Sequence, residues 1–152
     1  MYSRETFDAI NLITFDGDVS IDEVRQFATD LLHAAEGEHG AFGIVVTLDV
    51  TSFPKLGEIL RELRRLHKAT TAIQRLYGFD DKNQNKALAT ISNLGVQILG
   101  LSGKIVNVVD TDALMVRLEK DCVIFPGLEA SAHHFEAIQQ RLHELQRDAT
   151  PS

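Results

Sequence analysis

An almost unbroken apolar run in the first half of the chain most constrains its fold. The run reads Phe42-Gly-Ile-Val-Val-Thr-Leu-Asp-Val50. Such a run is typical of a central strand in a parallel sheet, because helices cover both faces of that sheet. Parallel neighbours are joined by crossover connections, which are usually helical. The run therefore predicts an α/β fold in which strand and helix patterns alternate.

That alternation is present along the chain. Strand patterns, rich in β-branched and aromatic residues, lie at residues 6–15, 42–50, 71–79 and 104–109. A helical pattern follows each strand. These patterns lie after the capping box of Ser20 and Glu23, after Pro54, within residues 82–95 and after Asp110, and a last helical pattern lies at about residues 129–146. The sequence predicts a mainly parallel sheet of four or five strands with crossover helices, plus an extra C-terminal helix.

Length and charge exclude several classes of function. A chain of 152 residues is one domain, in which residues 1–127 form the α/β part and residues 128–152 the C-terminal helix and tail. The net charge of −7 disfavours nucleic acid as a partner. Cys122 is the one cysteine, so a disulfide framework is excluded. With neither a membrane-span pattern nor a signal-peptide pattern, we expect a cytoplasmic protein.

Catalytic and cofactor motifs fail on spacing. Gly95 and Gly100 are separated as in a phosphate-binding loop, but Leu101 stands where the motif needs lysine. His133 and His134, with Glu129 one turn earlier, carry the chemistry of a metal site. Adjacent histidines on an α-helix, however, point about 100° apart and do not share one ion. We therefore expect no metal, no cofactor and no enzymatic activity.

Two amphipathic features leave alternatives open. A basic stripe, Arg61, Arg64, Arg65 and Lys68, is either a solvated helix face or a contact for an acidic partner or an anionic headgroup. The C-terminal helix carries an apolar stripe of Leu128, Phe135, Ile138, Leu142 and Leu145. That stripe either packs on the chain's own sheet or pairs with a second copy, which would make a homodimer.

Several strings resemble a known family. They are Ile13-Thr-Phe-Asp-Gly-Asp-Val-Ser-Ile-Asp22, Ile44-Val-Val-Thr-Leu-Asp-Val50, Leu56-Gly-Glu-Ile-Leu60, Ile73-Gln-Arg-Leu-Tyr-Gly-Phe-Asp-Asp81 and Asp112-Ala-Leu114. Over about residues 5–120 the chain resembles STAS domains, and more closely their SpoIIAA-like branch, which is similar in shape to the lipid-binding lobe of SEC14 proteins. The resemblance implies a non-catalytic regulatory module that binds a protein partner.

The resemblance also implies where a partner binds. In STAS regulators a serine at the start of the second helix is phosphorylated, but Gly57-Glu58-Ile59 stands at that place here, so the usual phosphoserine switch is missing. The expected partner-binding residues are Asp49, Thr51, Ser52, Lys55, Gly57, Glu58 and Arg61. The alternative is a small-molecule or lipid carrier of SEC14-like type, with a pocket wall of Leu56, Leu60 and Leu63 between the sheet and the helix of residues 55–68.

Overall fold

Strands and helices alternate as the sequence predicts in the computed structural model, which describes residues 1–69, 71–79 and 103–149. The described strands are β1 (Tyr2–Phe7), β2 (Ile10–Asp18), β3 (Ala41–Ser52), β4 (Ile73–Phe79) and β5 (Ile105–Val108). The described helices are α1 (Ile21–Ala35), α2 (Leu56–Leu63), α3 (Thr111–Cys122), α4 (Pro126–Ser131) and α5 (Phe135–Ala149). Turns of 3₁₀-helix follow α2 at Arg64–Ala69 and α4 at Ala132–His134.

The strands form one five-stranded sheet in the order β1-β2-β3-β4-β5. β1 is antiparallel to β2, and the other neighbouring pairs are parallel. The predicted α/β class with a mainly parallel sheet is therefore confirmed. The apolar run of residues 42–50 forms most of β3, which lies at the centre of the sheet.

The first predicted strand, residues 6–15, is wrong as a single element. The chain turns at Asp8 and Ala9, and Phe7 pairs with Ile10 across a two-residue loop. Asp8 has a φ of 54°, the left-handed value that tight hairpin loops require and that Asp tolerates better than most residues. The strand pattern was read through this turn because the loop has no glycine and lies within a β-rich run.

Each face of the sheet has its own hydrophobic core. Beneath α1 and α2, the core includes Ile13, Phe15, Val24, Leu31, Ile59, Leu63 and Leu66. On the opposite face, Phe42, Ile44 and Tyr77 pack against Leu114 and Leu118 of α3 and against the C-terminal helices. Leu128, Ile138 and Leu142 have no exposed surface. The apolar stripe therefore packs on the chain's own sheet, with Phe135 and Leu145 half-buried against the same core.

Helix starts follow the sequence closely. The Ser20–Glu23 capping box is present at α1, and the Asp110 side chain accepts a 2.8 Å hydrogen bond from the Ala113 N–H at α3. Helix ends are less well predicted: the single helix expected at residues 129–146 is α4, a 3₁₀ turn and α5. The helix predicted within residues 82–95 and the glycines at 95 and 100 lie outside the described residues.

Candidate functional site

The seven expected partner-binding residues lie together on the surface, and we call them the docking surface. They are Asp49, Thr51 and Ser52 at the end of β3, and Lys55, Gly57, Glu58 and Arg61 at α2, and every one is exposed. Asp49 has a φ of 43°, an uncommon backbone conformation for a residue other than glycine. The hydroxyl of Ser52 donates a hydrogen bond to Asp18, which ties the end of β3 to the end of β2.

The three leucines of the expected pocket wall do not share one surface. Leu63 is buried in the core, Leu60 is half-buried, and Leu56 is 37% exposed. The expectation that Leu56 lies between this helix and the sheet is wrong. Leu56 is the first residue of α2, and it lies before the helical turn that brings Ile59 into contact with the core.

The basic stripe is partly paired. Glu62 lies 3.8 Å from Arg65 and accepts a 3.0 Å hydrogen bond from Arg25 of α1. Arg61, Arg64 and Arg65 are exposed, as a solvated face predicts. Because α2 ends at Leu63 and continues as 3₁₀-helix, Arg64 and Arg65 do not keep the α-helical spacing with Arg61. The fourth residue of the stripe, Lys68, lies in that same 3₁₀ segment.

A second site, which the sequence interpretation dismissed, involves the two adjacent histidines. Nε2 of His134 lies 3.0 Å from Oδ2 of Asp8, and Nε2 of His133 lies 3.4 Å from the same oxygen. The two rings are tilted by 39° with their centroids 4.0 Å apart. The argument that these histidines diverge is therefore wrong, because both side chains reach the same carboxylate.

The partner of the histidines also differs from the expected one. Glu129 is exposed and lies outside this group, whereas Asp8 joins it from the loop of the β1–β2 hairpin. No local spacing could reveal this pairing, because more than a hundred residues separate Asp8 from the histidines. An indirect signal exists in the isolated Asp8 within a β-rich run, which marks a turn.

A buried polar cluster joins β4 to α3. Asp121 has no exposed surface, and its Oδ2 accepts a 2.7 Å hydrogen bond from the Tyr77 hydroxyl and a 3.2 Å hydrogen bond from Nε of Arg117. Nε of Arg75 lies 3.7 Å from the same oxygen, and its guanidinium lies over the Phe125 ring. Burial, followed by the bond to Asp121, raises the pKa of Tyr77 well above its usual value.

Cys122 does not behave as a reactive thiol. It is half-buried, and burial together with the nearby carboxylates of Glu129 and Glu119 raises its pKa. A raised pKa keeps the sulfur protonated, and the thiol is a much weaker nucleophile than the thiolate.

Comparison with known proteins assigns no relative. No family model, no curated protein and no solved structure matches the chain. Within residues 1–69, 71–79 and 103–149, no helix combines the length and the apolar character needed to cross a membrane.

Proposed function

We propose that this chain is a non-catalytic, STAS-like regulatory module that binds a protein partner through the docking surface. The observation that supports the proposal most directly is exposure: all seven residues chosen from the sequence are solvent-accessible. They also follow one another from the end of a central strand into the next helix. Residues that lie on a loop and a helix start, held by a rigid scaffold, are well placed for recognition.

The chemistry of the docking surface suits a protein partner. Leu56 exposes 37% of its surface between Lys55 and Gly57. An exposed apolar residue surrounded by charged and polar groups resembles the core and rim of a protein interface. Lys55 and Arg61 on either side of Glu58 favour a partner that offers both an acidic and a basic group.

The helix that carries part of the docking surface, α2, is packed against the rest of the fold. Ile59 and Leu63 anchor α2 to the sheet, and the hydrogen bonds from Arg25 to Glu62 hold α2 against α1. A surface that is ordered before binding loses less conformational entropy when a partner docks.

Glu58 replaces the phosphoserine switch of STAS regulators in this proposal. Its carboxylate stands in the first turn of α2, where the helix dipole favours a negative charge. A permanent charge at that position makes partner binding independent of a kinase. Regulation would then come from the amount of partner rather than from phosphorylation of this chain.

A charge reversal tests the docking surface. Glu58→Lys should abolish capture of a protein partner that the wild-type chain captures from a cell extract. Because Glu58 is exposed and loses only its interaction with the helix dipole, the free energy of unfolding should fall by only about 1 kcal/mol and the variant should stay folded. Glu119→Lys is the matched control, because Glu119 is an exposed acid on α3, a different element. If all three proteins capture the same partner equally well, the assigned surface is wrong.

Native mass spectrometry distinguishes the carrier alternative. The interaction module predicts a mass of 16.9 kDa, or a multiple of it, for the freshly purified protein. An additional mass that disappears on denaturation would show a bound small molecule and would favour a carrier. The packing of Ile59, Leu63 and Leu66 against the sheet supports the first outcome, because these side chains occupy space that a ligand beneath α2 would need.

A further inference from the structure

Two distant parts of the chain bring metal-ligating side chains to one place. Asp8 comes from the loop between β1 and β2, and His133 and His134 come from the 3₁₀ turn between α4 and α5. One oxygen and two imidazole nitrogens from these residues all lie within 4.8 Å of one another. No other group of three such residues meets this condition among residues 1–69, 71–79 and 103–149.

The separations suit a small divalent cation. Zinc binds imidazole nitrogen and carboxylate oxygen at about 2.0–2.2 Å, so neighbouring ligand atoms in a tetrahedral site lie roughly 3.3–3.6 Å apart. The two nitrogen–oxygen distances observed are 3.0 and 3.4 Å. Two of the three separations are therefore close to those of a tetrahedral site, and the third, between the two imidazole nitrogens, is within 4.8 Å.

The residue after Asp8, Ala9, is held by hydrogen bonds through both its N–H and its carbonyl. The N–H of Ala9 donates a 3.3 Å hydrogen bond to Oγ of Ser131, and the carbonyl of Ala9 accepts a 3.0 Å hydrogen bond from the N–H of Phe42. Ser131 is buried and donates in turn to the carbonyl of Gly127. These bonds join the hairpin to the residue that immediately precedes the 3₁₀ turn.

The histidine side is also supported. The ring of His134 packs edge-on against Phe7, with the ring centroids 5.7 Å apart. Nearby, Nε of Arg141 in α5 donates a 2.6 Å hydrogen bond to Glu5 of β1. The hairpin and the C-terminal helices are thus held together by contacts other than those among Asp8, His133 and His134, which lowers the conformational cost of binding an ion.

We propose that Asp8, His133 and His134 form a binding site for a divalent transition-metal cation of the zinc class. Two imidazoles and one carboxylate select such cations over Mg²⁺ and Ca²⁺, which prefer oxygen ligands. Three protein ligands leave one position of a tetrahedral ion open to water or to a small ligand. The ion would also link the N-terminal hairpin to the C-terminal helices.

Isothermal titration with Zn²⁺ tests the site, with Mg²⁺ as the competing hard cation. We expect one Zn²⁺ per wild-type chain, unchanged by Mg²⁺, and a higher thermal unfolding midpoint when Zn²⁺ is present, because an ion that binds only the folded chain stabilises it. His133→Gln and Asp8→Asn should each weaken binding by at least about tenfold, since even the loss of residues behind metal ligands has effects of that size. Asparagine tolerates a positive φ, so Asp8→Asn preserves the loop.

His143→Gln is the matched control, because His143 is an exposed histidine on α5 outside the cluster. It should bind Zn²⁺ as the wild type does. His133 is 65% exposed, so its replacement leaves the fold intact and separates loss of a ligand from loss of structure. The proposal is overturned if the wild-type chain binds no Zn²⁺, or if His133→Gln and Asp8→Asn bind it as tightly as His143→Gln does.

Discussion

The hydroxyl of Tyr77 donates a 2.7 Å hydrogen bond to Oδ2 of Asp121, and both residues are buried. The bond crosses from the sheet to α3 beneath the C-terminal helices. The other carboxylate oxygen of Asp121, Oδ1, is buried and has no hydrogen-bond partner among residues 1–69, 71–79 and 103–149. The hydrogen bonds that Oδ2 accepts from Tyr77 and Arg117 therefore offset the free-energy cost of keeping the carboxylate away from water.

Tyr77→Phe should lower the free energy of unfolding by about 1.5–3 kcal/mol, the range for a hydrogen bond to a charged group. The ring remains, so the packing of the core is preserved. Urea unfolding at neutral pH measures the effect. Tyr2→Phe is the comparison, because the Tyr2 hydroxyl also donates to a carboxylate, Asp30, but in a half-buried setting. The loss should be larger at Tyr77, and equal losses would contradict the role given to burial.

Alkaline pH should destabilise the fold through the same two tyrosines, which are the only ones in the chain. Burial and then a carboxylate neighbour raise the pKa of Tyr2 and of Tyr77. The folded protein therefore retains protons that the unfolded chain releases above about pH 10. Stability is complete below that pH and falls as the pH rises further.

The near-ultraviolet absorbance of tyrosinate provides the measurement, and the absence of tryptophan simplifies it. In the folded protein the signal should stay absent at pH values where free tyrosine ionises, and it should appear together with the loss of circular dichroism. Appearance of tyrosinate while the fold is intact would show that these phenols are not protected.

Sequence patterns predicted the parallel part of the sheet because burial on both faces produces unbroken apolar runs such as residues 42–50. They missed the hairpin at Asp8 because its loop depends on one backbone angle and has no glycine. The exposure of Glu58 and Arg61 could be predicted, since helical periodicity separates polar from apolar positions along α2. The position of Leu56 was wrongly predicted because helical periodicity does not show where the sheet beneath the helix ends.

The histidine site could not be predicted from the sequence either, and the reason differs from that for the hairpin. Whether adjacent residues such as His133 and His134 reach one carboxylate depends on the rotamers of their side chains and on the groups packed beside them, which no sequence spacing determines. Their carboxylate partner arrives from the opposite end of the chain. The cluster at Asp121 is equally non-local, since Tyr77 and Asp121 belong to separate elements.

The capping box at α1 should make a contribution to stability that depends on pH. The N–H of Ser20 donates a 3.0 Å hydrogen bond to Glu23, and this bond is the largest cause of the lowered pKa of Glu23. Because the pKa is lowered, the contribution is complete above the ordinary value of about 4.3 and is lost as the pH falls through the lower value in the fold.

Glu23→Gln keeps an acceptor for the box but removes the charge. It should lower the free energy of unfolding by about 0.3–1 kcal/mol at neutral pH, the range for a charge at a helix N-terminus, and the difference from wild type should shrink in acid. Ser20→Ala should cost about 0.5–2 kcal/mol at neutral pH. Denaturant unfolding at both pH values measures these changes. A Glu23→Gln deficit that is constant with pH would contradict the electrostatic explanation.

Replacing Gly40 measures how much a close backbone contact adds to the free-energy cost of a positive φ. It has a φ of 71°, and an added Cβ would lie 2.3 Å from the carbonyl oxygen of Ala72, which precedes β4. Gly40→Ala should therefore cost about 2–5 kcal/mol, the sum of a left-handed backbone and an overpacked contact.

Gly17→Ala is the matched control: its φ is 66° and its Cβ would meet nothing within 4 Å, so only the backbone cost of about 1–2 kcal/mol applies. Thermal or urea unfolding of both variants gives the comparison. Equal losses would mean that the chain before β3 moves away from Ala72 at little cost, and that the close approach does not fix the start of the central strand.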